Sequence, residues 1–145
     1  MHTRTRPSND EGETLLELMI AVAIMGIAVV AVIGGVATSI LMSDIHRKQA
    51  TAGAYVRNYA EAVVAYVAAG KFDASASPDY SSSTVGFTAP TGGFVASVTS
   101  VRCWVDGSRQ FSSCTAGSAV QQVTLNIASS DSRASEALLV IVRKT

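Results

Sequence analysis

The chain has 145 residues, and eleven basic residues balance eleven acidic ones, so its formal net charge at pH 7 is zero. This balance gives no electrostatic argument for nucleic-acid binding, and no nucleic acid is expected among the partners. Much of the apolar content lies near the N-terminus, so the remainder is long enough for only one small folded domain.

Residues 1–12 are a polar segment that carries Arg4 and Arg6. Basic residues beside an apolar segment favour the cytoplasmic side of a membrane. Because Arg47 and Lys48 lie on the other side of the apolar run, charge bias alone does not fix the orientation.

The apolar run that follows extends from Leu18 to Ser43 and contains no charged residue. As a helix it would be roughly 39 Å long, which is enough to cross a bilayer. A core helix of a small soluble protein would show a polar stripe, and none occurs before Asp44. The run is also too long for the apolar core of an ordinary signal peptide. It therefore predicts a retained transmembrane helix.

The sequence at this junction is Gly12-Glu13-Thr14-Leu15-Leu16-Glu17-Leu18-Met19-Ile20. It resembles the processing motif of type IV prepilins and type II secretion pseudopilins. The resemblance implies that a prepilin peptidase cuts between Gly12 and Glu13 on the cytoplasmic side and methylates the new N-terminus. Residues 1–12 would then be a cleaved leader, and residues 13–43 would anchor the chain by a single pass through the cytoplasmic membrane, with the C-terminal part outside the cytoplasm.

Glu17 is the fifth residue after Gly12 and lies within the apolar stretch. A charged side chain at the bilayer centre costs roughly 2.5–3.5 kcal/mol on insertion scales, so an acid in this position is a functional candidate. The family resemblance implies that Glu17 attracts the N-terminal amine of a neighbouring subunit during assembly. The alternative is a solvated acid at the membrane edge.

Glu13 departs from the family pattern, in which the mature chain usually begins with phenylalanine. A second carboxylate would lie beside the new amine, so methylation of Glu13 and the usual contact of the amine with Glu17 both stay open. This departure favours a specialised, minor subunit over a major pilin.

Three glycines interrupt the apolar run, at Gly26, Gly34 and Gly35. Each costs up to about 1 kcal/mol relative to alanine inside a helix. Two interpretations are open: the stretch from Gly26 to Gly35 loses helical order after assembly, as the resemblance suggests, or the glycines are simply tolerated in a membrane helix.

Residues 44–70 show apolar side chains at helical spacing, which predicts an amphipathic continuation of the same helix packed on a sheet. Gly70 stands where a C-terminal cap is expected. The predicted stripe consists of Ile45, Ala52, Tyr55, Val56, Tyr59, Ala62, Val63, Tyr66 and Val67.

Residues 71–93 are rich in Ser, Gly and Pro, a composition typical of a flexible linking loop. Residues 94–145 then contain three β-like runs, Phe94 to Val105, Val120 to Ile127 and Ala137 to Val142, which predict an antiparallel meander. The continuous apolarity of the third run predicts a more buried strand. The fold class is therefore α+β, with a long N-terminal helix on a small antiparallel sheet, as in pilins.

The two cysteines, Cys103 and Cys114, are close in sequence and lie in the part expected outside the cytoplasm. Their spacing fits one disulfide between the first strand and the loop containing Phe111, the alternative being two free thiols. Trp104 would point to the opposite face from Cys103, either into a core or outward to an interface.

No residue pattern indicates catalysis, a metal or a cofactor. The predicted function is that of a structural subunit of a type IV pilus or a pilus-like filament on the cell surface, and Glu13 favours a minor subunit. Its expected partners are other pilin-like subunits, prepilin peptidase, the inner-membrane assembly platform and the lipid bilayer. The alternatives are a pseudopilin of a type II secretion system and a membrane-anchored extracellular binding protein that does not polymerise.

Overall fold

The computed structural model describes residues 13–88 and 91–144, with side chains from Leu15 onward. The chain divides into two compact units with the boundary between Ser43 and Asp44. The elements are α1 (Glu13–Ala68), α2 (Ser82–Val85), β1 (Phe94–Val105), β2 (Gln110–Ser112), β3 (Val120–Ser129) and β4 (Ser135–Arg143).

The second unit is built around the part of α1 that follows Ser43. The predicted stripe is confirmed, since Ala52, Val56, Tyr59, Val63 and Val67 are all buried. Together with inward residues of the sheet they form one hydrophobic core. The helix ends at Ala68, and Gly70 adopts a left-handed conformation with φ 79°, which is the predicted glycine cap.

The sheet has four antiparallel strands in the order β2-β1-β3-β4. The three long strands lie side by side as the sequence predicts, so the α+β, pilin-like fold class is confirmed. The short strand β2 was not predicted. It pairs with the end of β1 and places Phe111, which was expected in a loop, directly opposite Trp104.

Alternation along the strands separates an inner face, packed on α1, from an outer face. Every second residue of β3 is buried, and Val123, Leu125 and Ile127 supply the centre of the core. The register of β1 against β3 shifts between Val98 and Ser100. This bulge keeps the inner face apolar on both sides of it, because without it Val101 and Cys103 would point outward.

The expectation that the last strand is more buried is wrong. Strand β4 is at the edge of the sheet, and only one of its faces packs on the core. Leu139 and Ile141 on its outer face remain 50% and 58% exposed. A continuous apolar run does not distinguish a strand covered on both faces from one with an exposed apolar face.

The segment that links α1 to β1 is more ordered than its composition indicates. It contains the single turn of α2, which was not predicted. Tyr80, near its middle, is fully buried in the core. The segment is therefore held against the second unit by specific contacts.

Candidate functional site

The apolar part of α1 has exposed hydrophobic side chains on all sides. Its most apolar window has a mean hydropathy of 2.8 and is 0% buried. By length and composition, this is a helix that can cross a membrane. A helix that is apolar all round is stable only when lipid or other apolar helices cover it.

Glu17 lies on the exposed surface of this segment. Neighbouring side chains are apolar and widely exposed, with Leu16 at 62% and Ile20 at 52%. No salt bridge within the described residues involves Glu17. A carboxylate placed this way among apolar side chains favours a cation supplied from outside the chain.

The cleavage position itself lies at the limit of the described chain. Gly12 is outside the described residues, and Glu13 is the first residue of α1. Nothing is described of the Glu13 side chain, so the cut between these two residues stays a prediction from the sequence.

Gly26, Gly34 and Gly35 are all helical within α1. A methyl group added at any of them would meet nothing within 4 Å. These glycines are therefore not required by close packing inside this chain. Loss of helical order between Gly26 and Gly35 after assembly stays a prediction.

The predicted disulfide is confirmed. Cys103 on β1 is bonded to Cys114, which follows β2, and the Cα atoms are 4.7 Å apart. Cys103 is fully buried on the inner face. The bond ties the β1–β2 hairpin to the segment that leads into β3.

Trp104 points outward, which decides between the two alternatives left open by the sequence. Its side chain is 37% exposed. The indole ring packs edge-on against Phe111 with ring centroids 5.3 Å apart, and its Nε1–H donates to Asp106 at 2.8 Å. The pair forms an exposed aromatic cluster at the β2 edge of the sheet.

A charged cluster that the sequence did not reveal joins α1 to the β3–β4 turn. The Lys48 ammonium lies 2.5 Å from Asp131 and 3.0 Å from Asp44. Its proximity holds the pKa of Asp131 well below the usual range, with help from the Ser129 hydroxyl, and also lowers the pKa of Asp44. Lys48 and Asp131 are 83 positions apart, so no local pattern indicates this contact.

A second unpredicted group of contacts is a buried polar network around Tyr80. The Tyr59 hydroxyl donates to the Tyr80 carbonyl at 2.8 Å, and the Tyr80 hydroxyl donates to Gln121 Oε1 at 2.6 Å. Gln121 Nε2 in turn donates to the Asp73 carbonyl at 2.7 Å. Burial is the main cause that raises the pKa of Tyr59 to about 12. The network fastens the linking segment to both α1 and β3.

Among the described residues, no group of three or more His, Cys, Asp or Glu side chains is arranged to hold a metal ion. The clusters described above are satisfied internally by hydrogen bonds and ion pairs. The exposed apolar part of α1, with Glu17, therefore remains the candidate functional site.

Comparison with protein families matches residues 7–33 to the prokaryotic N-terminal methylation motif. No curated protein matches the chain. No solved structure matches it either. The matched segment includes Gly12, Glu13, Glu17 and Gly26, and this motif is the signature of type IV pilins and prepilins. This motif supports a type IV pilin-like protein, of the kind found in pilus or secretion-system filaments.

Proposed function

We propose that the chain is a minor structural subunit of a type IV pilus or pilus-like filament, inserted in the membrane and then assembled through α1. The observation that carries this proposal is the placement of one carboxylate, Glu17, in residues 15–37 of α1, where every other side chain is apolar. Pilin-like subunits are processed by prepilin peptidase and assemble with other pilins. Processing supplies a cation, the new N-terminal amine, and assembly supplies the apolar helices of other subunits as partners.

Cleavage after Gly12 would create the cation. The new α-amino group at Glu13 has an ordinary pKa of about 8, so it is largely protonated at neutral pH unless methylation or burial changes it. In a neighbouring subunit, Glu17 offers this amine an opposite charge inside apolar surroundings. Such a pair is strengthened by the low dielectric and sets the axial register between subunits.

The membrane and the filament compete for the same surface. The bilayer covers the apolar side chains of residues 15–43 but leaves Glu17 without a counter-ion. Packing among equivalent helices covers the apolar surface equally well and adds the ion pair. Because only the filament supplies a counter-ion for Glu17, transfer of the subunit from the bilayer into the filament is favoured. The inner-membrane assembly platform is the expected site of this transfer.

Glu13 supports the assignment to a minor subunit. Its carboxylate is adjacent to the new amine and competes with Glu17 for it, which weakens the contact between subunits. A weaker contact is tolerable for a subunit present in few copies, whereas a subunit that forms the whole length of a filament repeats it at every step.

The test is a pair of substitutions followed by a measurement of how much of the chain is recovered in sheared filaments from cells with a working assembly system. Glu17→Gln keeps the shape and removes the charge. We expect the filament-associated fraction to fall at least about tenfold, which corresponds to about 1.4 kcal/mol of lost interaction. Met19→Gln is the matched control, because it adds a polar group nearby and leaves Glu17 in place.

Two alternative functions give different results in this experiment. If the chain is a membrane-anchored binding protein that does not polymerise, Glu17→Gln leaves its distribution unchanged and the wild-type chain is absent from filaments. If it is a pseudopilin of a type II secretion system, Glu17→Gln reduces protein secretion in the same cells while pilus yield is unaffected.

A further inference from the structure

The outer face of the sheet is basic at the end that carries the β1–β2 hairpin. By strand alternation, Arg102 on β1 and Arg143 on β4 point to this face, and both are exposed. Arg109 is exposed in the turn between β1 and β2. Within residues 13–88 and 91–144, none of these three guanidinium groups forms a salt bridge. This end of the face therefore carries positive charge that no described side chain neutralises.

An exposed aromatic surface lies beside these arginines. Trp104 follows Arg102 by two residues on β1 and points to the same face, and Phe111 lies directly opposite it on β2. The indole N–H donates to Asp106, so the ring is held in one orientation and this carboxylate is already engaged. A ring that is fixed before a ligand arrives loses little conformational entropy when the ligand packs on it.

Neutral polar side chains occupy the centre of the same face. Gln122 on β3 lies directly between Arg102 on β1 and Ile141 on β4, and Thr124 and Asn126 follow it along β3. Amide and hydroxyl side chains both donate and accept hydrogen bonds. Among the described residues, the outward-facing positions of β1, β3 and β4 carry no Asp or Glu. Such a surface complements a ligand that combines negative charge with many hydroxyl groups.

We infer that this surface, defined by Arg102, Trp104, Gln122 and Arg143, binds an acidic polysaccharide whose sugar rings carry carboxylates. One sugar ring packs its apolar side on Trp104, and ring hydroxyls bond to Gln122. A guanidinium group binds a carboxylate through two parallel hydrogen bonds. Because β3 separates Arg102 from Arg143, the two lie roughly 10 Å apart across the sheet and engage different carboxylates of one polymer.

The shape of the surface favours an extended polymer over a small molecule. A small ligand needs a concave site that encloses most of its surface, whereas this is the open side of a sheet. Residues 52–67 of α1 pack on the inner side, so the helix does not cover it. Binding a polysaccharide is therefore a function additional to the proposed assembly through α1, and it does not depend on that assembly.

A single-stranded nucleic acid is the competing polyanion. Proteins that bind single strands offer several stacking rings in succession along a continuous basic groove. Here Trp104 and Phe111 pack edge-on against each other, and the rest of the face, along β3, is neutral. Neutral amides and hydroxyls match the hydroxyl groups of sugars better than they match a row of phosphates.

The test measures binding of the full chain, in detergent and at low salt, to immobilised polygalacturonate. The methyl ester of the same polymer is the matched ligand, since it keeps the sugar rings and removes their charge. The double variant Arg102→Gln, Arg143→Gln should bind at least about tenfold more weakly than the wild type, because it loses two charge-assisted contacts. Arg57→Gln is the matched control, since Arg57 is also exposed but lies on α1. Urea unfolding followed by Trp104 fluorescence verifies that each variant is folded.

The inference is supported if binding is lost with the methyl ester, weakened in the double variant and retained in Arg57→Gln. It is overturned if the wild-type chain does not bind polygalacturonate, or if the double variant binds as well as the wild type. Binding of polyglutamate or single-stranded oligothymidylate as tightly as polygalacturonate would also overturn it, because the surface would then accept anions in general or a nucleic acid. All of these results leave the proposed function intact, since the measurement requires no filament.

Discussion

At the residue scale, the hydroxyl group of Tyr80 connects three segments that are distant in sequence. It donates to Gln121 on β3 and accepts a hydrogen bond from the Asp73 backbone in the linking segment, at 3.4 Å. The Tyr80 carbonyl also receives the Tyr59 hydroxyl of α1. Because all these groups are buried or half-buried, water cannot replace a partner that is removed.

Tyr80→Phe should therefore destabilise the second unit more than an ordinary loss of a surface hydroxyl. It leaves the Gln121 side-chain oxygen buried without its donor, which costs about 1–3 kcal/mol. The measurement is urea unfolding of the full chain in detergent, followed by fluorescence of the single tryptophan, Trp104. Tyr66→Phe is the control, since the Tyr66 hydroxyl has no hydrogen bond among the described contacts. Equal losses in the two variants would contradict this account.

Asp131 gives a prediction about pH. Lys48, and then the Ser129 hydroxyl, lower its pKa in the folded chain below the unfolded value of about 3.9. The carboxylate therefore contributes stability above about pH 4, and that contribution is lost as pH falls through the folded pKa. The melting temperature of Asp131→Asn should consequently drop less between pH 7 and pH 3 than that of the wild type.

The control for this measurement is Glu136→Gln, which removes a carboxylate from β4 and leaves the Lys48 cluster intact. It should follow the wild-type pH dependence more closely than Asp131→Asn does. If both variants showed the wild-type pH dependence of the melting temperature, the contact between Lys48 and Asp131 would not contribute to the loss of stability at low pH.

At the element scale, the disulfide secures the β1–β2 hairpin to the segment before β3. The cysteines are 11 positions apart. In the chain-entropy description, closing a loop of this size stabilises the folded state by about 3 kcal/mol.

Reducing the disulfide should therefore lower the free energy of unfolding of the second unit by about 3 kcal/mol. The same Trp104 fluorescence reports the change, because Trp104 lies next to Cys103 on β1. In the double variant Cys103→Ala, Cys114→Ala, a reductant should have no further effect. A wild-type chain whose unfolding is unaffected by the reductant would contradict this role for the bond.

The elements that the sequence predicts well are those with a regular spacing of apolar residues or a helix-capping residue. The stripe from Ala52 to Val67 and the glycine at Gly70 define the second part of α1 because helical spacing and a left-handed cap are local signals. The alternation in β3 is equally local. These features come from residues that are close in sequence, so pattern alone is sufficient.

The elements that the sequence misses depend on distant contacts. Strand β2 has three residues and exists because β1 lies beside it. The exposure of β4 follows from its position at the sheet edge, which no local pattern reports. The burial of Tyr80 requires Tyr59 and Gln121, which come from other elements. At the candidate site, Glu17 was identified because a charge in an apolar run is itself a local signal.

At the scale of the whole molecule, the two units have different properties and different roles in the proposed function. The unit before Asp44 carries an apolar helix that needs external partners, and the unit after Ser43 has its own core, disulfide and ion pairs. In the proposed function the first unit supplies membrane insertion and assembly. The second unit supplies the surface of the filament.

The central claim is that a leader is removed and the apolar helix is kept, and the intact mass of the mature chain tests it most directly. The chain is purified from the membranes of cells with an active prepilin peptidase and compared with the chain from cells without that enzyme. We predict a mature chain that begins at Glu13 only in the first sample, with or without one added methyl group. A chain that keeps residues 1–12 in both samples would contradict the account, and so would cleavage within or after the apolar run.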